Sequence, residues 1–322
     1  MKPTPTQPQF RSINTAYNTV FTMGRLSLGL VVPIETYATS DTPPMHQHVE
    51  RVQLAETLGF SAVWLRDVPF RVPSFGDVGQ GFDPFVYLGL LSAHTTTIAL
   101  GVASLILPLR HPAHVAKAAA TVDVLSNGRL LLGVASGDRP EEYPALNIPF
   151  QERGARFRDS YEYIRRMADS APSVNNAYGV VTNGMDMLPR PTGVALPLLI
   201  TGGSQQSPQW IARHGDGWMT YPRGEQQQSI LIQEYRTSAI NAAEPVKPVI
   251  EPLYIDLVEN ANAPAQPIHL GLQLGINTLK QYLKSRQQIG VNHIALNLRF
   301  NRANTEQTLH MLASELLPDF QT

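Results

Sequence analysis

The sequence predicts an α/β fold, a single (β/α)8 TIM barrel with an insertion between its fourth helix and fifth strand. Three observations predict it. Eight short apolar runs alternate with helix-period segments along 322 residues, and eight such units favour a closed barrel over the alternative, a doubly wound open sheet. The runs are continuously apolar and rich in β-branched residues, as strands buried on both faces of a parallel sheet must be. Polar and glycine-containing segments collect directly after the runs, at the strand ends where such barrels bind ligands.

In chain order, residues 1–25 are rich in Pro, Thr, Gln and Asn and are expected as an irregular leader across one end of the fold. The barrel domain is expected over 26–322. Leu26 to Val32 reads as the first strand and Met45 to Leu58 as the first helix, stopped by Gly59. Ser61 to Leu65 is the second strand, and a Pro- and Gly-rich loop runs from Asp67 to Phe82. Asp83-Pro84 caps a helix through Leu91, with proline at the first position, where a missing N–H costs nothing. Ile98 to Pro108 is the third strand. The helix after it places Val115, Ala118, Ala119, Val122 and Leu125 on one face, and Asn127-Gly128 stops it before the fourth strand, Leu130 to Ala135.

The helix from Gln151 to Ala168 carries five arginines. Asp169 to Leu196 is too long for an ordinary connection and reads as an irregular insertion. Leu198–Ile200, Gly217–Met219, Val249–Leu257 and His293–Leu298 complete the strands. Helices follow them from Ser207-Pro208 and over Gln226–Ile240, Asn277–Ile289 and Thr305–Leu316.

Composition narrows the function. A net charge of -1 gives no electrostatic case for nucleic acid or an anionic membrane. No run approaches the ~20 apolar residues of a membrane-spanning helix, and the N-terminus lacks the apolar core of a secretory signal. The chain has no cysteine, which removes disulfides, thiolate metal sites and cysteine nucleophiles, and fits a cytoplasmic protein. His46 and His48 find no third ligand at a suitable spacing, so no metal site is expected. Nucleophile elbow, Walker loop and G-x-G-x-x-G fingerprint are all missing.

Four segments carry candidate chemistry. Thr201-Gly202-Gly203-Ser204 lies between a strand and a helix, where glycines admit a ligand to the backbone and hydroxyls and amides suit a phosphate. An ordinary turn is the alternative; the clustering of barrel phosphate sites on late βα loops favours the ligand. Ser136-Gly137-Asp138-Arg139 ends the fourth strand and either touches a ligand or is a solvated loop. Arg110-His111 follows the third strand and either serves a ligand, pairs with Asp67 or caps neighbouring carbonyls. Arg66-Asp67 ends the second strand, as a salt bridge at the mouth or as catalytic groups. Of the helix arginines, Arg153 in the first turn is the one near this rim.

Together these segments resemble the bacterial luciferase-like flavin monooxygenases. The resemblance rests on AETLGFSAVWLRD, on LSAHTTTIALGVASLILPLRHPAHVAKAAATVDVLSNGRLLLGVASGD and on LLITGGSQQSPQWIARHGDGW, in order over most of residues 26 to 222. WLRDVPF, PSFGDVGQGFDP and GVASGDRP mark a luciferase-type oxidoreductase subgroup. After Arg223 only the strand–helix alternation remains.

The resemblance implies FMN, or in some relatives coenzyme F-420, at the carboxyl rim. It implies a non-proline cis peptide at Ala103-Ser104 supporting the isoalloxazine ring, and a phosphate near Thr201, Gly202, Gly203 and Ser204 with Arg153 as a charged contact. Departures accompany it. Asp67-Val68-Pro69 stands where luciferases have Glu-His-His, Ala135 near their reactive cysteine, and Ser136 where they have an arginine on the phosphate side. Light emission from long aldehydes is therefore not expected.

The resulting expectation is a two-component monooxygenase. It would use O2 and reduced FMN, supplied by a separate flavin reductase, on a small organic substrate, with Asp67, Arg110 and His111 as polarising or protonating groups. Hydride transfer with F-420 and a non-catalytic flavin-binding protein are the alternatives. The resemblance also implies a homodimer through helices beside the second and third strands, with Ala113–Val124 as a candidate surface.

Overall fold

The computed structural model describes residues 9–182 and 184–320. Eight parallel strands close a ring: β1 (Ser27–Val31), β2 (Ala62–Leu65), β3 (Ala99–Ile106), β4 (Leu130–Ala135), then, past the hairpin β5 (Val174–Asn176) and β6 (Gly179–Val181), β7 (Leu198–Thr201), β8 (Gly217–Met219) and β9 (Val249–Leu257), and, past the hairpin β10 (Gln266–Ile268) and β11 (Gly271–Leu274), β12 (His293–Asn297). β8 pairs with β9, β9 with β12 and β12 with β1, so the ring has no free edge. The predicted closed barrel is the observed fold. Around it stand α2 (His48–Leu58), α3 (Pro84–His94), α4 (Pro112–Leu125), α6 (Arg153–Arg166), α7 (Pro208–His214), α8 (Glu225–Asn241), α9 (Ile276–Gln288) and α10 (Thr305–Phe320). Two short helices complete the set: α1 (Thr15–Val20) before the barrel and α5 (Glu142–Ala145) on the rim. Among the described residues no helix is long and apolar enough to cross a membrane.

Strand alternation divides the core into two layers. Leu28, Leu30, Val63, Leu65, Leu100, Val102, Leu130 and Leu132 face outward and pack with the helices. Val31, Ala62, Trp64, Ala99, Leu131, Leu199, Met219, Ile250 and Ala295 fill the barrel interior. Glycines make room for the largest of these. A Cβ at Gly101 would stand 2.3 Å from the Trp64 ring, and one at Gly29 would stand 2.7 Å from His293 Nε2.

A buried polar chain runs through the interior. Trp64 Nε1–H donates to His293 Nε2 at 2.8 Å, and His293 Nδ1 lies 2.7 Å from Ser27 Oγ. An indole only donates, so Nε2 is the bare nitrogen and Nδ1 carries the proton toward Ser27. The Ser27 hydroxyl in turn donates a hydrogen bond to the Val20 carbonyl at 2.7 Å.

The sequence reading did not place α5 or the β10–β11 hairpin, and three further elements differ from it. Within 1–25, expected as irregular, α1 closes the amino end of the barrel with Tyr17, Val20 and the adjoining Phe21 buried. Six residues form no stable helix alone; Asn14 caps this one, and the Asn14 Nδ2 anchors it to Asp123 Oδ1 (2.9 Å) and the Leu130 carbonyl (2.8 Å). The insertion before β7 contains the β5–β6 hairpin, whose Asn176 side chain accepts from Tyr178 N at 2.9 Å and donates to the Asp159 carbonyl at 3.0 Å. Helix α2 starts at His48 rather than Met45, because Met45 and Gln47 hold positive φ angles of 56° and 51°.

Candidate active site

Following the inward register of each strand to its carboxyl end gives the barrel mouth. Above Trp64 comes Arg66, above Leu131 and Gly133 comes Ala135, and above Leu199 comes Thr201. Above Ile250 and Pro252 comes Tyr254. On β3, where pairing with β4 shifts between Val102 and Leu105, Ala103 packs on the interior cluster and the Ala103-Ser104 peptide is cis. The mouth is therefore lopsided. Ala103, Ala135 and Thr201 leave open space over β3, β4 and β7, while Arg66 and Tyr254 stand on β2 and β9.

The proposed cofactor positions largely converge on the low side. The Ser104 and Thr201 hydroxyls are hydrogen-bonded to each other across the ends of β3 and β7. The loop after Thr201 turns through Gly202 and Ser204, with φ of 55° and 42°. Gly202 N donates to the Met219 carbonyl at 2.8 Å and Ser204 Oγ to the Thr201 carbonyl at 2.7 Å. A Cβ on Gly202 or Gly203 would meet nothing within 4 Å, so the loop presents bare backbone to open space. It rests on α6, where Gln206 Nε2 donates to the Gly154 carbonyl at 2.8 Å and Arg158 Nη2 donates to Gln206 Oε1 at 2.8 Å. Gly137 holds a φ of 75°, and a Cβ there would lie 2.8 Å from Ile106. The neighbouring Ser136 carbonyl accepts the Tyr143 hydroxyl. Arg153 turns onto Phe150, stacked 3.7 Å over its ring and donating from Nη1 to its carbonyl at 2.9 Å.

Asp67, Arg110 and His111 do not form one cluster. Asp67 is buried; it accepts Ile106 N at 3.0 Å and takes a two-point grip from Arg110 (Nη2 at 2.7 Å, Nε at 3.2 Å). Arg110 also meets Asp83 at 3.0 Å. Burial alone would lower the Arg110 pKa, but the bonds to Asp67 and Asp83 hold it above its ordinary value. Of the pairings open in the sequence, Asp67 with Arg110 is the one formed, and Arg66 pairs with Asp77 at 2.5 Å instead. His111 caps α4 by accepting Ala113 N at 3.3 Å, and its Nε2 lies 3.2 Å from the Tyr178 carbonyl in the insertion. Its ring packs edge-on against His114, Tyr163 and Tyr178. These contacts tie His111 to the helix layer and the hairpin.

Sequence reasoning missed the hub of the opposite wall, Asp77. Its carboxylate receives Arg66 Nη1, Arg299 Nη1 (2.9 Å), the Tyr37 hydroxyl (3.3 Å) and Gly79 N (2.9 Å), and its carbonyl receives Arg139 Nη2 (3.2 Å). Burial would raise its pKa, yet Arg66, the Gly79 amide and Arg299 hold it below the usual carboxylate range. Three arginines from three strand ends thus pin the loop before α3. A second carboxylate, Glu142, is buried with its Oε1 3.7 Å from Arg139 Nη1. Burial pushes its pKa up to about 7 against the pull of Arg139. Asp77 lies inside the PSFGDVGQGFDP segment, which carried the resemblance but gave no sign of its partners, whereas Tyr254 was readable from alternation along Val249–Leu257. Among the described residues no group of three or more His, Asp or Glu side chains is placed to hold a metal.

A family model described as luciferase-like monooxygenase matches residues 24–263. The chain belongs to the luciferase-like monooxygenase family. It is similar to the F-420-dependent glucose-6-phosphate dehydrogenase of Beutenbergia cavernae, 31% identical over 60% of this chain and 56% of that protein. The monooxygenase RslO1 of Streptomyces bottropensis superposes with a TM-score of 0.75 at 20% identity, over 91% of this chain and 99% of that one. The oxygenating constituent of 3,6-diketocamphane monooxygenase of Pseudomonas putida, solved with FMN, superposes with a TM-score of 0.73 at 12% identity, over 92% of this chain and 99% of that one. The chain spans about two thirds or less of the length of the curated relatives it matches. As a luciferase-like protein it keeps the cis Ala103-Ser104 peptide that the resemblance implied.

Proposed function

We propose that the chain is an oxidoreductase that binds FMN on the low side of the mouth and, as a two-component monooxygenase, uses the reduced form with O2 on a small organic substrate. The observation carrying this reading is the bare Gly202-Gly203 backbone beside the hydrogen-bonded Ser104–Thr201 pair. Thr201, Gly202, Gly203 and Ser204 would hold the phosphate, with Arg153 near, and Ala103, Ser104, Ser136 and Gly137 would support the ring. When bound, the cofactor supplies the two-electron chemistry. The Asp67–Arg110 pair fixes the ends of β2 and β3, and the loop pinned by Asp77 shields the mouth from water.

A second reading, hydride transfer with F-420, is favoured by the dehydrogenase relative. The dispersed basic groups favour FMN over its longer, more acidic analogue. Arg139 is buried on the Asp77 carbonyl, Arg153 is stacked on Phe150, and Arg223 is bonded to Thr220 Oγ1 at 2.8 Å. A separate flavin reductase and a second copy of the chain are the proposed partners. The copy would dock on α3, whose Val86 and Leu90 are exposed.

Titration of the purified protein with FMN, reduced FMN and F-420 tests the assignment. Reduced FMN is expected to bind, with affinity lowered about tenfold by Ser204→Ala, which removes the hydroxyl that would turn from the Thr201 carbonyl to the phosphate. Selective binding of F-420 would replace this reading with the second.

A further inference from the structure

The high side of the mouth carries two donors without acceptors. Tyr254 points inward at the end of β9 and is only 8% exposed, yet among the described residues its hydroxyl has no hydrogen-bond partner. A buried hydroxyl normally finds one, and this one is not sealed from the mouth. Arg66 spends only Nη1, on Asp77, leaving Nη2 and Nε free on a side chain that is 23% exposed. The two groups belong to one cluster at the mouth: Arg66 and Arg299 share the Asp77 carboxylate, and the Arg299 guanidinium lies 5.2 Å over Phe300, whose ring packs on Tyr254. Burial raises the Tyr254 pKa and Arg66 pulls it back. Asp77 anchors the Arg66 guanidinium through Nη1.

Beside these donors stands an aromatic wall. The Tyr254 ring lies 5.3 Å from Phe300 and 6.1 Å from His269, and those two are 6.1 Å apart. Tyr221, 51% exposed, follows β8 next to it.

We propose that Tyr254 Oη and Arg66 Nη2 form a two-donor seat for a substrate oxygen, and that the substrate is a carbonyl or carboxylate compound with a ring-sized apolar body. Two convergent donors, one of them charged, complement an acceptor oxygen and leave a group without acceptors unrewarded. The apolar body would lie on the Tyr254–Phe300–His269 wall, two strands around the ring from the bare loop. Tyr254 is thereby a substrate-touching residue that determines specificity. The inference rests on the rim reading given above and names the substrate class for it.

Binding of acetophenone, benzoate and ethylbenzene to the full chain, followed by ligand-observed NMR, tests the seat. Acetophenone and benzoate are expected to bind about tenfold more tightly than ethylbenzene, which has the ring and no oxygen. Tyr254→Phe, which removes only the hydroxyl, should erase most of that preference with the melting temperature unchanged. Equal affinity for the three probes, absence of binding, or an unaltered preference in Tyr254→Phe would overturn the proposal. FMN and F-420 titrations of the same samples separate the two readings. Cofactor binding with an unaltered Tyr254→Phe preference sinks the seat alone. An oxygen preference that depends on Tyr254 in a protein that binds neither cofactor sinks the oxidoreductase reading alone.

Discussion

His293 shows how one side chain couples the barrel interior to pH. Full burial depresses its pKa from 6.5 to about 3, and as the acceptor for Trp64 Nε1–H it must stay neutral in the folded state. Its folded pKa lies below its unfolded one, so the unfolded chain takes up the proton first. The stability it contributes is complete above about pH 6.5 and is lost as pH falls from there toward 3. Glu142 and Glu251, both pushed up to about 7 by burial, act in the opposite sense, losing stability as pH rises from 4.5 through 7. Comparing variants isolates the histidine. Chemical denaturation at about pH 7 and about pH 5 should show His293→Asn gaining on wild type by about 2 kcal/mol at the lower pH. Parallel curves would mean that His293 ionises without cost.

At the scale of elements, α1 exists because it is buried, and it works as a plug. Phe21 follows the helix, is 4% exposed and lies edge-on to His293 at 6.2 Å. Phe21→Ala should cost about 3 kcal/mol in urea unfolding, the usual loss for a large core aromatic. The Gly202-Gly203 loop, proposed above to hold the cofactor, lies at the other end of the barrel, so cofactor affinity should hold. A parallel fall in affinity would show that the plug also shapes the mouth. The β5–β6 hairpin is the second element made by its neighbours, since a lone two-stranded hairpin is marginal. It is seated on α6 through Asn176 and against His111 through Tyr178. That contact draws His111 from the rim into the scaffold.

For the molecule as a whole, one outer surface stands out. Helix α3 buries Tyr87, Leu88 and Leu91 yet leaves Val86 75% and Leu90 41% exposed, side by side one turn apart. Exposed apolar groups at that spacing suit a helix–helix contact between copies. Light scattering should find a dimer for wild type and a monomer of unchanged thermal stability for Val86→Glu. A wild-type monomer at micromolar concentration would reject this surface as a dimer contact.

Much of this protein was legible in one dimension. Apolar runs and their punctuation placed all eight barrel strands, because burial on both faces forces a continuous pattern that no surface strand needs. Gly202 and Gly203 announced a bare loop, and Ala103-Ser104 was found by resemblance. What stayed hidden were the partners of the charged residues. Arg66 stands next to Asp67 in the sequence, but adjacent residues on a strand point to opposite faces. Arg66 therefore meets Asp77 in the mouth, while Asp67 meets Arg110 behind β3. Local pattern determines which residues are buried and which strand end carries polar groups; only closure of the ring decides which of those groups meet, because the contacts join segments far apart in the chain.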